Sequence, residues 1–115
     1  MNAKEYIWKV RSIKNYPEAR NHVFIGKPVE VNSTYAVLKC RTYHFGKTVH
    51  LPRDIQVGNI EHRLVPWSRV EIVNLVEKEF DYINAKLVVS EGGAIVLSDG
   101  TLSVALFGSN DSRVF

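Results

Sequence analysis

The apolar positions of this chain change period near residue 20. Over residues 3–14, Tyr6, Ile7, Val10 and Ile13 recur close to helical spacing with Lys4, Lys9, Arg11 and Lys14 on the remaining surface, which predicts an amphipathic helix with a basic outer face. Asn15-Tyr16-Pro17-Glu18 ends it, because proline removes a backbone donor and biases the preceding residue away from helical angles. From His22 onward the pattern becomes short runs of Val, Ile, Thr and aromatics, punctuated by Gly26, Pro28, Asn32-Ser33, Gly46, Pro52, Gly58-Asn59 and Pro66. Such runs predict strands at 22–31, 35–44, 47–52, 60–65 and 69–76, spaced as in a small five-stranded barrel. Residues 77–85 suit a short helix or an ordered turn, with Phe80 and Ile83 three apart. Strands at 86–90, 94–98 and 101–107 then form a β-meander, joined by Glu91-Gly92-Gly93 and Asp99-Gly100, and Gly108–Arg113 is expected to fray. Residues 69–87 have a second reading. Ser68 and Glu71 satisfy a capping box, and Val73, Val76, Phe80, Ile83 and Leu87 would line one helix face. The β-branched side chains of Val70, Ile72, Val73 and Val76 favour the strand.

Length and cysteine usage narrow the class. A chain of 115 residues fits one domain, 1–115, divided into the helix at 3–14, the barrel at 22–76 and a C-terminal extension at 77–115. Cys40 is the single cysteine and, with four scattered histidines, makes no zinc spacing, so no metal and no cofactor is expected. No stretch approaches the roughly 18 apolar residues of a membrane span, and the first residues carry no long apolar run. The expectation is a soluble cytoplasmic protein without a membrane partner.

Charge adds a direction. Residues 1–69 carry 12 Lys and Arg against 5 Asp and Glu, whereas residues 70–115 carry 3 against 7, so a net +3 conceals a basic body and an acidic end. A surface of one sign concentrates ligands of the other, and nucleic acid is the commonest polyanion. Period-two alternation over 35–44 sends Ala36, Leu38 and Cys40 to one face and Tyr35, Lys39, Arg41 and Tyr43 to the other. Tyrosine rings stack on unpaired bases while Lys and Arg neutralise phosphates, the combination used by single-strand binding surfaces. The candidate site is therefore Tyr35, Tyr43 and His44 for stacking, with Lys39, Arg41, Lys47, Arg53 and Arg63 for phosphates. The same face also reads as the solvated side of a half-buried sheet.

Other chemistry is weaker. His22, His44, His50 and His62 lie in or beside predicted strands with no relay partner in sequence, which favours structural or surface roles. Cys40 falls on the apolar side of its strand, as a small buried hydrophobe would. Gly92-Gly93 lacks the spacing of a phosphate loop, and Glu77, Glu79 and Asp81 lack the glycine and terminal glutamate of a calcium loop. Trp8 and Trp67 read as core or interface anchors, with Trp67 beside Arg69 a possible stacking platform.

Leu64-Val65-Pro66-Trp67-Ser68-Arg69-Val70-Glu71-Ile72-Val73 has the form of two short strands joined by one tight turn, and in that it is similar to the fourth and fifth strands of Sm/LSm-type barrels. Phe24-Ile25-Gly26-Lys27-Pro28-Val29-Glu30-Val31, behind a basic helix, resembles the opening of their first strand. The resemblance covers about residues 4–76 and implies an SH3/Sm-like barrel in a ring-forming, RNA-binding homo-oligomer. The Asp and Asn that read a base in the first Sm motif have no counterpart in Tyr43-His44-Phe45-Gly46-Lys47, and the glycine-flanked arginine of the second motif is absent. Phe80-Asp81-Tyr82-Ile83-Asn84 is similar to that first motif, but in a later register that leaves the upstream basic strands unexplained. The reading carried forward is a mainly β protein with an N-terminal α-helix and a C-terminal β-meander, binding single-stranded nucleic acid, RNA before DNA, without catalysis. Two alternatives stand beside it: a structural or protein-interaction subunit assembled through its charge polarity, and a small enzyme using His44, His50 or His62.

Overall fold

The computed structural model describes residues 1–14 and 19–106; the expected break at 15–18, the end of the last predicted strand at Phe107 and the expected fraying at 108–113 lie outside them. The protein is mainly β and its strands pair antiparallel. In chain order they are β1 (Ile7–Ser12), β2 (Asn21–Val31), β3 (Tyr35–Phe45), β4 (Gln56–Val57), β5 (Glu61–Pro66), β6 (Val70–Val76), β7 (Lys86–Val89), β8 (Ile95–Ser98) and β9 (Ser103–Ala105). Among the described residues the helical segments are single 3-10 turns, at Ala3–Glu5, Pro52–Asp54 and Trp67–Arg69. Among these residues no helix is long and apolar enough to cross a membrane.

The first six strands form one sheet in the order β4-β3-β2-β1-β6, and β5 pairs with β3 beside β4. Strands β7, β8 and β9 form a second sheet. Two cores result. Trp8, Val10, Phe24, Ala36, Leu38, Cys40 and Val65 pack on one face of the large sheet, with Trp67, Val70 and Val73 against them. Ile7, Val23, Ile25, Tyr43 and Phe45 pack on the other face, against Phe80, Tyr82, Ile95, Leu97 and Leu106 from the second sheet and the residues flanking it. The period-two reading of 35–44 is visible here, since Ala36, Leu38 and Cys40 all enter the first core.

Three expectations are corrected. The predicted helix at 3–14 is a 3-10 turn followed by β1, because residues 7–10 are buried on both sides: Ile7 in one core, Trp8 and Val10 in the other. A strand covered on both faces shows a near-continuous apolar run, and such a run mimics helical spacing over four residues. Second, the large sheet is not a closed barrel. It holds β1 as an interior strand, β5 and β6 are not paired with each other, and the 22–76 boundary omits a strand the sheet needs. Third, residues 47–52 form no strand; the Asp54 carboxylate accepts the backbone N–H groups of His50 and Leu51 at 2.9 and 3.0 Å and folds this stretch into a turn.

Elsewhere the pattern reads correctly. Residues 70–76 are strand and not helix, and 77–85 are turns, although Tyr82 rather than Ile83 joins Phe80 in the core. The meander turns follow their sequences. Gly93 and Gly100 adopt φ of 86° and 98°, and the Asp99 carboxylate accepts from Thr101 and Leu102 backbone N–H groups at 2.8 and 2.7 Å.

Gly26 marks the tightest approach in the sheet. It lies opposite Trp8 of β1 and Cys40 of β3, and a Cβ there would overlap the Lys39 carbonyl oxygen and stand 2.5 Å from Cys40 Cα. Neither backbone atom can yield without opening the β2–β3 ladder. Gly26→Ala is expected to cost about 2–3 kcal/mol of unfolding free energy, read as a lower urea midpoint at unchanged slope.

Candidate nucleic-acid interface

Because side chains alternate along β3, the eight expected site residues divide between its two faces and the loop beyond. Tyr35, Lys39, Arg41 and Tyr43 share one face; His44 points the other way, as does Arg63, whose register partner is Leu38. Lys47 and Arg53 are exposed beyond the strand, Arg53 on the Pro52–Asp54 turn. Tyr35 and His44 stand about 30 Å apart at opposite ends of an eleven-residue strand. The eight therefore form no single patch.

On the first face, Lys39 is flanked by Lys27 of β2 and His62 of β5, both directly opposite it, which makes an exposed basic row across three strands. Tyr35 is half-buried, and its hydroxyl donates to the Glu30 carboxylate at 3.0 Å. Tyr43 is corrected from an exposed stacking ring to a core residue: it is 1 % exposed, and burial pushes its phenol up to about 12. Arg41 turns to the cleft between the sheets, where Nη1 donates to the Gly58 carbonyl at 2.9 Å and Nη2 to the Ile83 carbonyl at 2.8 Å. That cleft has a volume of about 390 Å³ and is walled by Arg41, Tyr43, Val57, Ile83, Leu87 and Leu97, with Lys86 at its side.

The opposite face gathers rings and cations at the far end of the β2–β3 hairpin. His22 lies directly across from His44, and their Nε2 atoms approach to 2.5 Å. The His22 ring stacks on Phe24 with centroids 4.6 Å apart and planes at 20°, and meets His44 edge-on at 3.8 Å. Arg20 donates from Nη2 to the His44 carbonyl at 3.3 Å, and its guanidinium passes beside Gly46, one residue before exposed Lys47. Arg63 completes the group. Its Nη2 pairs with Glu61 at 3.1 Å, while its Nε is buried with no hydrogen-bond acceptor among the described residues.

The electrostatics follow from this crowding. Burial, then the neighbouring His44 and the Arg63 guanidinium, push the His22 imidazole down to about 4 from an ordinary 6.5. Burial, Arg20 and Arg63 hold His44 below its ordinary value as well. Near neutral pH both rings are thus uncharged, and only one of the two facing nitrogens carries a proton. Cys40 is fully buried, and burial raises its thiol to about 11, so at neutral pH it is a packing group and not a nucleophile. Among the described residues no three His, Cys, Asp or Glu side chains are grouped to hold a metal ion.

Sequence reasoning placed His44, Lys47 and Arg63 in this region and missed Arg20, His22 and Phe24. The reason is one residue. Near the Asn32–Thr34 turn the pairing is Val31 with Ala36, which continued regularly would set His22 opposite Phe45. A bulge at Val29 shifts the register and brings His22 onto His44. Comparison with family models, with curated proteins and with solved structures finds no match for this chain.

The depressed imidazole makes stability depend on pH. A histidine whose folded pKa lies below its unfolded value leaves the unfolded chain binding more protons between the two, so stability is full above about pH 6.5 and falls as pH drops toward about 4. Allowing for solvent screening of a half-buried ring, the loss attributable to His22 is about 1–2 kcal/mol. His22→Asn is expected to remove that part of the slope in urea titrations at pH 7.5, 6 and 5. An unchanged slope would show that the pair is not the titrating group.

Proposed function

We propose that this protein is a non-enzymatic cytoplasmic module that binds single-stranded nucleic acid, RNA before DNA, through the open end of the β2–β3 hairpin. The observation that carries the reading is the stack of Phe24, His22 and His44 set between Arg20 and Arg63, with Lys47 alongside. Arg20, Lys47 and Arg63 suit phosphates, and the Arg63 Nε–H lacks an acceptor among the described residues. The imidazoles offer flat surfaces on which unpaired bases stack without sequence preference. Lys27, Lys39 and His62 on the reverse side of the sheet form a second, ring-poor basic row. That row fits the looser electrostatic part of binding, which needs only positive charge near the backbone.

The reading extends to the fold and its assembly. The order β6-β1-β2-β3-β5, with only the Trp67–Arg69 turn between β5 and β6, fits a small open barrel of the SH3/Sm kind in which β1 takes a place first assigned to a helix. Among the described residues β5 pairs only with β3 and β6 only with β1, leaving each one backbone edge without a strand. Copies joined edge to edge would satisfy both and form a homo-oligomer. The exposed Leu64 on β5 and Ile72 and Leu75 on β6 support the second reading, a subunit whose main business is contact with other proteins.

Titration of a labelled single-stranded RNA and its DNA equivalent at several salt concentrations separates the two. Arg20→Ala combined with Arg63→Ala is expected to flatten the slope of log K against log salt by about 1.4, since each lost phosphate contact on a single strand removes about 0.7. His44→Ala should cost about 1–3 kcal/mol of affinity while leaving the salt slope unchanged. If neither nucleic acid binds and the mass in solution is that of an oligomer, the protein-interaction reading replaces this one.

A further inference from the structure

The cleft between the two sheets lies across β3 from the hairpin cluster, and its chemistry differs. Its wall is mostly apolar, from Val57, Ile83, Leu87, Leu97 and the Tyr43 ring, yet it includes two cations, Arg41 and Lys86, and no Asp or Glu. Arg41 has no ion-pair partner among the described residues; its two terminal nitrogens are held by the Gly58 and Ile83 carbonyls. Its Nε–H and the Tyr43 hydroxyl, on the same wall, are both buried without a hydrogen-bond acceptor among the described residues. Two unsatisfied buried donors at one place are costly, and a half-buried guanidinium without a counter-charge adds to that cost. The volume, about 390 Å³, falls at the lower end of the roughly 300–1,000 Å³ usual for small-molecule sites.

We infer that this cleft is a binding site for a small amphipathic anion, an alkyl or aryl carboxylate. The apolar part lies along Val57, Leu87 and Leu97, and the carboxylate sits against Arg41. Arg41 is already oriented for this, because two backbone carbonyls from different segments fix the guanidinium plane before any ligand arrives. A carboxylate supplies the missing negative charge and, with a small adjustment of the wall, acceptors for the Nε–H and the phenol. The Tyr43 phenol stays protonated throughout the neutral range and so remains a donor. This site is separate from the hairpin cluster, since Arg41 and His44 lie on opposite faces of β3.

The test is calorimetric and NMR titration of the full chain with octanoate, and with octan-1-ol as the uncharged control. Saturable binding of octanoate is expected, with chemical shifts changing at Leu87 and Leu97, and about tenfold or weaker binding of octan-1-ol. Arg41→Gln should remove the preference for the carboxylate. Because that variant also frees the Gly58 and Ile83 carbonyls, Ala85→Phe, which fills the cleft while leaving Arg41 in place, is the second arm and should abolish binding of both probes. Absence of octanoate binding, equal affinity for the two probes, or octanoate binding that survives Ala85→Phe in a folded protein would each overturn the assignment.

Discussion

Four residues, Ile7 to Val10, hold the two halves of the molecule to one another. They lie in a strand that is interior to the large sheet, between β2 and β6, so their backbone groups enter ladders on both sides. Their side chains alternate between two separate cores. Lys9 shares this burial: it is 5 % exposed, and its ammonium donates to the Ala105 carbonyl of β9 at 2.6 Å. A buried ammonium is tolerated only with such partners, so this bond ties the second sheet to a defined position over the first. Removing β1 would open both cores at once, which explains why a short segment governs more of the structure than its length suggests.

Strand β3 contributes to both candidate surfaces, for a related reason. It pairs with β2 along its whole length on one side and with β5 and β4 in succession on the other. Ala36, Leu38 and Cys40 therefore enter the first core, and Tyr43 and Phe45 enter the second, against the meander sheet. The same strand presents His44 to the hairpin cluster and Arg41 to the intersheet cleft. Two surfaces of different chemistry, one cationic with stacked rings and one apolar with an isolated guanidinium, stand back to back only a few residues apart.

Much of the architecture was legible beforehand. Strands β2, β3, β5 and β6 and the meander followed from β-branched runs bounded by Gly, Pro and Asn, and the tight turns from Gly93, Asp99 and Gly100. Alternation in β3 correctly separated Ala36, Leu38 and Cys40 from the opposite side. The error at residues 3–14 has a clear origin. Strands covered on both faces lose the polar alternation that distinguishes them from helices, and the basic residues around β1 imitated a solvated helix face. Tyr43 was misjudged for a similar reason, since the second sheet that covers it comes from residues about fifty positions later.

By itself the chain determined composition-level and local properties: a β-rich protein, a basic first part and an acidic last part, the positions of turns, and the inward side of β3. Those follow from backbone sterics, side-chain branching and charge, which act between near neighbours. Tertiary structure alone decided which cations and rings meet. The Val29 bulge sets His22 against His44, the packing of the meander buries Tyr43 and confines Arg41, and the insertion of Ile7–Val10 makes a strand of a helical pattern. Each depends on register or on a distant covering layer, and neither quantity is encoded in the spacing of residues along one segment.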